Sequence, residues 1–293
     1  VGTITHASSK TGRGVYVSSG TFNMYGGSIT GNKAQHAQGR GGGVYVYSGS
    51  GTFNMYGGSI TGNRATGDGG GVYKSGSNSS FNMYGGSITG NTANSYGGGV
   101  YVDGGGFTMS GGTIGGTKTG ETNTATYGGG GVYVVGSSST FEMTDGSITG
   151  NNAYKSDYIS TFGGGVCVGS GIFTVSGEVT VTDNTKGGTK GADGKFTGDT
   201  KNNVYLPTGK TITIGTDKLS EGAQLGVTVS GDYGDYPFTS GWNANMSDKT
   251  PSDYFISDTD GYVAKLNGSE LKMVTHVHNW TYTASGDTIT ATC

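Results

Sequence analysis

Apolar and polar residues alternate with a period of two through most of this chain. Two valines flank a tyrosine in Val15–Val17, an asparagine separates two apolar side chains in Phe22–Met24, and Ile29 lies between a serine and a threonine. Side chains on a strand point to opposite faces in turn, so each segment would direct its apolar residues to one side. The pattern predicts three short β-strands in each repeat rather than helices.

The three segments recur in the same order along the chain. The phrase F-N-M-Y-G-G-S-I-T-G-N occurs three times, three degenerate copies follow, and each copy is preceded by V-Y-V or a variant of it. The copies are Phe22–Asn32, Phe53–Asn63, Phe81–Asn91, Phe107–Thr117, Phe141–Asn151 and Phe173–Asn184. No single repeat can bury its own apolar face, so stacked coils with parallel strand pairing are expected. The predicted fold class is all-β, a right-handed parallel β-helix of about seven coils with a C-terminal β cap.

Three regions are expected along the chain. Residues 1–215 would form the β-helix, residues 216–273 a terminal β cap that closes it, and residues 274–293 the start of a truncated small module. Within the cap, alternation predicts four strands, Leu225–Val229, Tyr254–Ser257, Tyr262–Leu266 and Glu270–Val274. Residues 1–6 match the end of a preceding repeat, and we therefore expect the chain to be covalently part of a longer protein.

Small and polar residues recur at the predicted corners. Glycine pairs such as Gly26–Gly27 permit positive φ, where a side chain would clash. The asparagine that closes each copy should stack on its equivalents as a structural ladder, formed by Asn32, Asn63, Asn91, Asn151 and Asn184. Thr117 should interrupt this ladder. Lys74 occupies an inward valine position, where we expect a local opening or a side chain that reaches out to solvent.

Composition narrows the classes of function. The 293 residues include 63 glycines, only 13% are charged, and the net charge is -3, so there is no basic footprint for nucleic acid. No apolar run approaches the roughly 20 residues that span a bilayer, and we expect no membrane insertion. The two cysteines make no disulfide framework. Nothing in the sequence calls for a cofactor.

The repeat resembles a known group of proteins. G-G-G-V-Y-V followed by F-N-M-Y-G-G-S-I-T-G-N, over roughly residues 1–215, is similar to the β-helix repeats of adhesin-like surface proteins of Gram-positive, often gut-dwelling, bacteria. V-Y-L-P-T-G-K-T-I-T-I resembles the segment that closes the β-helix in those proteins. The resemblance implies a non-enzymatic, extracellular segment, displayed on the cell surface or secreted, with adhesion as its general role. A glycan or a surface protein of the host or of bacteria would be the partner.

Two features could carry such binding. The middle residues of the V-Y-V segments should form one outward stripe of stacked aromatic rings, Tyr16, Tyr45, Tyr73, Tyr101, Tyr133 and Tyr205. The same rings could instead stabilise neighbouring strands with no ligand. Long corner loops are the second candidate, because loops on a rigid scaffold often bind. The loop Asn152–Phe162 brings Tyr154 and Tyr158; a tolerated insertion is the alternative.

Other chemistry has weaker support in the sequence. A carbohydrate-active enzyme is the alternative function, because polysaccharide lyases and hydrolases occur on this fold. Such enzymes need clustered acids. The acids here, such as Asp68 and Asp103, are isolated in the repeat. Outward hydroxyls such as Ser59 and Thr61 form a stripe. Ice-binding solenoids also carry hydroxyl stripes, but theirs are more regular than this one. Possible zinc ligands are His276, His278 and Cys293, although we expect this segment to bind no metal.

Overall fold

The protein is a β-solenoid in a computed structural model. The structure describes residues 2–6, 11–36, 38–47, 49–154, 162–191, 196–231, 234–277, 281–285 and 288–292. Coils stack in parallel for about seven turns, and the fold is all-β with almost no helix. The predicted fold class is therefore confirmed.

Each coil follows the strand order expected from the alternation. The V-Y-V strands are Val15–Val17, Val44–Val46, Val72–Ser75, Val166–Val168 and Val204–Leu206. The F-N-M strands are Thr21–Met24, Thr52–Met55 and Ser80–Met83, and the S-I-T strands are Thr3–Ile4, Ser28–Thr30, Ser59–Thr61 and Ser87–Thr89. In later coils these segments merge into Val100–Gly115, Val132–Thr149 and Ile172–Thr182. Equivalent residues of successive coils pair with each other, as Phe53 does with Phe81, and bulges interrupt the register of the long later strands.

A fourth short strand follows the closing asparagine of each coil, which the alternation did not predict. These N-x-A strands are Lys33–Ala34, Arg64–Ala65, Thr92–Ala93, Thr124–Ala125 and Asn152–Ala153. They pair in parallel into a separate sheet, with every alanine fully buried.

Apolar columns fill the interior. From the second coil onward the inward Val, Phe, Met and Ile side chains are completely buried. Phenylalanine rings stack along the axis, and the centroids of Phe107 and Phe141 lie 4.6 Å apart with nearly parallel planes. The glycine corner has the expected geometry, because Gly58 has a φ of 89° and an added Cβ would lie 2.6 Å from the carbonyl oxygen of Gly27.

The inner asparagine ladder runs unbroken along one corner. Asn32, Asn63, Asn91, Asn151 and Asn184 are all buried, as predicted for a structural ladder. The expected interruption at Thr117 is wrong, because Asn123 occupies the fourth position: Asn91 Nδ2 donates to Asn123 Oδ1 at 3.0 Å, and Asn123 Nδ2 donates to Asn151 Oδ1 at 2.9 Å. The five residues between Thr117 and Asn123 belong to an insertion that precedes the ladder position.

The hydrogen bonds of the inner asparagine ladder all run in one direction, and the ladder ends on a carboxyl group. Each Nδ2 group donates to the Oδ1 atom of the next coil, and Asn184 donates to Asn203 in the same way. At the last position the backbone N–H and Nδ2 of Asn203 donate to the two carboxyl oxygens of Asp258 at 2.7 and 2.6 Å. Burial raises the pKa of the Asp258 carboxyl, while the bonds from Asn203 act to lower it. Aligned amide dipoles therefore end on an acceptor.

The chain beyond residue 215 continues the stacking before it changes character. The strands are Ile212–Leu219, Gln224–Val229, Thr239–Ser240, Phe255–Ser257, Tyr262–Asn267 and Glu270–Thr275, followed by a hairpin of Thr281–Ser285 and Thr288–Thr292. Parallel pairing continues as far as Phe255–Ser257, which lies against Gln224–Val229. The four strands predicted in this region are confirmed to within one residue at each end.

A short helix, Trp242–Met246, covers the apolar interior at this end, and a 3-10 turn, Pro251–Asp253, follows it. The sequence reading missed the helix. At the start of this helix, the N–H groups of Gly241 and Trp242 donate hydrogen bonds to the carboxylate of Glu270. Trp242 is buried with its ring centroid 5.9 Å from that of Phe255. The apolar columns therefore end against an aromatic cluster.

Candidate functional site

The tyrosines of the V-Y-V strands are mostly covered, although alternation directs them outward. We call these six residues, Tyr16, Tyr45, Tyr73, Tyr101, Tyr133 and Tyr205, the covered tyrosine column. Tyr73 is 1% exposed, Tyr45 and Tyr205 are buried, and Tyr101 and Tyr133 are half-buried. Only Tyr16, in the first coil, is exposed. The expectation of an exposed stripe is therefore wrong for most of its members.

Residues from the preceding corner cover these rings. The guanidinium carbons of Arg13 and Arg40 lie 4.8 and 5.1 Å from the ring centroids of Tyr45 and Tyr73. In later coils aromatic residues take over, with Phe162 stacked at 4.4 Å on Tyr205. Each of these three residues directly precedes the glycine or glycines that lead into a V-Y-V strand. Its side chain covers the tyrosine of the next coil. The glycines bring the corner close enough to cover the tyrosine face.

Burial also sets the acidity of the covered column. The pKa values of Tyr73, Tyr101 and Tyr133 are raised well above the usual range, chiefly by loss of solvation of the phenolate. The rings of Tyr73 and Tyr101 stack at 5.1 Å. This column therefore behaves as a second, external layer of packing, which matches the structural alternative raised from the sequence.

Three other tyrosines form an exposed aromatic ladder, which the sequence reading did not single out. We call Tyr25, Tyr56 and Tyr84 the open tyrosine column. Their exposed fractions are 74%, 43% and 47%. Adjacent ring centroids lie 4.9 and 4.8 Å apart, and the planes are within 10° of parallel.

The local sequence explains why this column is open. The tyrosine follows methionine in F-N-M-Y, so the period of two directs it outward beside the asparagine. Two glycines follow each tyrosine and have no side chain to cover it. Continuing the alternation by one residue beyond the strand would have identified the column. It ends where Ser110 replaces the tyrosine in the fourth coil.

An outer asparagine ladder, Asn23, Asn54 and Asn82, lies beside the open tyrosine column. Asn54 Nδ2 donates to Asn23 Oδ1, and Asn82 Nδ2 donates to Asn54 Oδ1, both at 2.8 Å. Thr108 Oγ1 donates to Asn82 Oδ1 and ends the ladder in the fourth coil. The first three coils therefore present a flat, uncharged face of aligned amides and phenols.

Lys74 is fully buried, so the expected opening or solvent-reaching side chain is wrong. Its Nζ donates to the backbone carbonyl oxygen of Gly76 at 2.8 Å and to that of Gly104. Burial lowers the pKa of the ammonium group to about 8, and nearby Asp103 acts in the opposite direction. Turns in two adjacent coils thus supply the oxygens that allow a lysine inside the solenoid.

Asp68 and Asp103 are less isolated than the sequence suggested. Arg40 Nε lies 3.8 Å from Asp68 Oδ2, and the hydroxyl of Tyr73 donates to Asp103 Oδ2 at 3.3 Å. Burial raises the pKa of Asp68, and the charge of Asp103 adds to that rise. The two carboxyl groups, from neighbouring coils, therefore belong to one partly buried cluster around Tyr73.

The described parts of two corner loops make contacts of their own. The segment Lys186–Asn203 contains most of a β-hairpin, because Thr185–Lys190 pairs with Phe196–Lys201. Tyr154 lies 5.5 Å, centroid to centroid, from Phe196 of this hairpin. Tyr158 lies outside the described residues. Tyr154 therefore joins two loops instead of standing free.

The other candidates remain expectations. His278 and Cys293 lie outside the described residues, and His276 directly follows the cap strand Glu270–Thr275. Within the described part of the chain, no three His, Cys, Asp or Glu side chains come together in a way that could hold a metal. The outward hydroxyls are half-buried, with Thr89 Oγ1 donating to Thr61 Oγ1 at 3.2 Å.

No helix in the described segments has the length and apolar character to cross a membrane. Comparison with protein-family models, with curated proteins and with solved structures finds no match. The geometry of the solenoid faces is therefore the basis for a functional proposal.

Proposed function

We propose that this chain is a non-enzymatic, adhesive β-solenoid segment that binds a glycan through its open face. The open tyrosine column and the outer asparagine ladder together form this face. Display on the surface of a bacterium or in its surroundings, as part of a longer protein, belongs to the same proposal and is supported by the resemblance of the repeat.

The observation that carries the proposal is the exposure of three aligned aromatic rings that the core does not need. Tyrosine combines an apolar ring with a polar tip, which suits contacts with partners that are partly apolar and partly hydroxylated. Exposed aromatic residues in a contiguous patch commonly mark interaction sites. Because a serine, Ser110, occupies the equivalent position in the fourth coil, the patch is limited to the first three coils.

The geometry favours a particular kind of contact. Because the rings stack on one another, their faces are largely occupied, and a ligand would meet ring edges, hydroxyls and asparagine amides. These groups repeat at the spacing of stacked strands, about 4.8 Å. A neutral, extended polysaccharide lying along the solenoid axis could place one sugar unit on each coil. The face is uncharged, so recognition would depend on hydrogen bonds and apolar contact.

Titration calorimetry with neutral β-1,4-linked oligosaccharides of increasing length tests this proposal, after a glycan array selects the sugar. Affinity should rise with length until three coils are covered. Replacing Tyr25, Tyr56 and Tyr84 with alanine should weaken binding at least about tenfold, which corresponds to roughly 1.4 kcal/mol. Ser110→Tyr should extend the column and strengthen binding to longer chains.

Tyr236→Ala provides the control, because Tyr236 is an exposed tyrosine outside the open column. Its replacement should leave binding unchanged. Absence of any glycan ligand, or equal binding by the triple variant, would refute the proposal. Binding of a surface protein that depends on the same three tyrosines would replace the glycan with a protein partner.

One observation favours a carbohydrate-active enzyme as a second candidate. Asp68 and Asp103 belong to one partly buried cluster around Tyr73, and glycoside hydrolysis uses a pair of carboxylic acids. Assay on acidic and neutral polysaccharides, with Asp68→Asn and Asp103→Asn, tests this candidate. Cleavage lost in both variants would support it, and no cleavage by the parent protein would remove it.

A further inference from the structure

The open tyrosine column places three phenol rings in a geometry suited to covalent coupling. Tyr25 and Tyr56 lie 4.9 Å apart at 9° between planes, and Tyr56 and Tyr84 lie 4.8 Å apart at 10°. The register of the F-N-M strands, in which Met24 pairs with Met55, holds the residues just before these tyrosines side by side. Neighbouring rings are therefore held together by the fold before any reaction.

The covered tyrosine column gives a natural comparison with the same ring geometry. Tyr73 and Tyr101 stack at 5.1 Å and 8°, and Tyr101 and Tyr133 at 5.5 Å and 8°. These rings are buried or half-buried beneath the preceding corners, whereas those of the open column face solvent. The two columns thus differ in access to an oxidant far more than in ring stacking.

We propose that the open tyrosine column is a site of oxidative cross-linking, at which Tyr56 couples to Tyr25 or to Tyr84. The oxidant is hydrogen peroxide activated by a haem peroxidase. Each of two neighbouring phenols loses one electron and one proton, and the resulting phenoxyl radicals form one carbon–carbon bond between positions ortho to the hydroxyls. After the rings regain aromaticity, two hydrogen atoms have left the pair and one peroxide has become two waters.

Such a bond would staple adjacent coils at the surface. It would close a loop of the chain between Tyr25 and Tyr56 or between Tyr56 and Tyr84, much as a disulfide does. Cross-links of this kind stabilise chiefly by restricting the unfolded chain. We therefore expect the cross-linked protein to melt at a higher temperature than the untreated protein. The inference does not depend on glycan binding.

The experiment treats dilute protein with a haem peroxidase and hydrogen peroxide and follows dityrosine fluorescence. Monomer isolated by size exclusion is then digested, and the linked peptides are identified by mass spectrometry through the loss of two hydrogens. Links should join Tyr25 to Tyr56 and Tyr56 to Tyr84. Tyr56→Phe keeps the stacked ring but lacks the phenol, and should reduce fluorescence of the monomer at least about tenfold.

Three controls make the result decisive. Tyr101→Phe, in the covered column, should leave the yield unchanged. Tyr25→Phe and Tyr84→Phe should each remove only one of the two links. The pair Tyr16 and Tyr47, exposed and 5.9 Å apart at 35°, tests whether proximity alone is sufficient. A monomer without links in the open column, or links found only between chains or at Tyr16 and Tyr47, would overturn the proposal.

Discussion

Two tyrosine columns run along this solenoid, and both begin as outward positions in a pattern of period two. Tyr73 of the covered column is 1% exposed, whereas Tyr56 of the open column is 43% exposed. The difference arises from the neighbouring corners. Arg40 and its equivalents lie over the V-Y-V strands, while glycines follow each tyrosine of the open column. Alternation therefore determines direction, and the adjoining turn determines burial.

The largest expected effect is a fall in the free energy of unfolding at alkaline pH, which arises from the covered tyrosine column. Tyr73, Tyr101 and Tyr133 have pKa values raised in the folded state, so the unfolded chain loses their protons first as pH rises. Their contribution to stability is complete below pH about 10 and falls above it, with an upper limit of about 1.4 kcal/mol per pH unit for each group, which solvent lowers for the half-buried Tyr101 and Tyr133. Urea unfolding at stepped alkaline pH measures the slope. Tyr101→Phe should reduce it by about a third, and an unchanged slope would contradict the account.

Truncation of the rings gives the next largest effect. Tyr73→Ala should lower the free energy of unfolding by about 3 kcal/mol or more, because it opens a cavity among packed rings. Tyr56→Ala, in an exposed ladder, should cost less than about 1 kcal/mol. Urea denaturation of the two variants side by side measures the difference. Equal losses would mean that exposure does not distinguish the columns.

The asparagine ladders extend the comparison to a polar residue. Asn91→Ala should cost about 2 kcal/mol, because the buried donors of Asn63 and the carbonyl of Ile60 would lose their partner. Asn54→Ala in the outer ladder should cost about 0.5 kcal/mol, since water can replace its bonds. Thermal melts monitored by circular dichroism would compare them. A larger loss for Asn54→Ala would reverse the assignment of inner and outer ladders.

Removing one of the side chains that cover a tyrosine should change stability only modestly and should change the chemical reactivity of that tyrosine. Arg40→Ala deletes the guanidinium over Tyr73 and the partner of Asp68, and should cost about 1 kcal/mol. It should also make Tyr73 reactive towards a phenol-specific reagent, while Tyr133 stays protected. Arg64→Ala is the control, because Arg64 is an exposed arginine of an N-x-A strand. Protection of Tyr73 in Arg40→Ala would show that another group covers it.

Much of the fold follows from the sequence because the repeat states the same local rule many times. The inward columns, the glycine corners and the five expected positions of the inner asparagine ladder follow directly from alternation and spacing. Asn123 was missed because an insertion moved it away from Thr117, although the pattern N-x-A continues at Asn123–Ala125 and would have identified it. The fourth strand was missed for a different reason, since two residues are too few to show a period.

The candidate site was harder to foresee because burial depends on contacts between coils. Alternation could not show that Phe162 would lie on Tyr205, one coil further along the chain. The residue before each glycine turn, which is arginine, aspartate, tyrosine or phenylalanine, was the available signal. Lys74 illustrates the same limit, because carbonyl oxygens of two turns, not sequence neighbours alone, make its burial possible.

Acetylation of tyrosine hydroxyls by N-acetylimidazole, mapped by peptide mass spectrometry on the native protein, tests the central claim most directly. The account predicts rapid labelling of Tyr25, Tyr56 and Tyr84 and strong protection of Tyr73 and Tyr205. Unfolded protein should label at all five positions at similar rates. Equal labelling of Tyr56 and Tyr73 in the native protein would contradict the division into an open and a covered column.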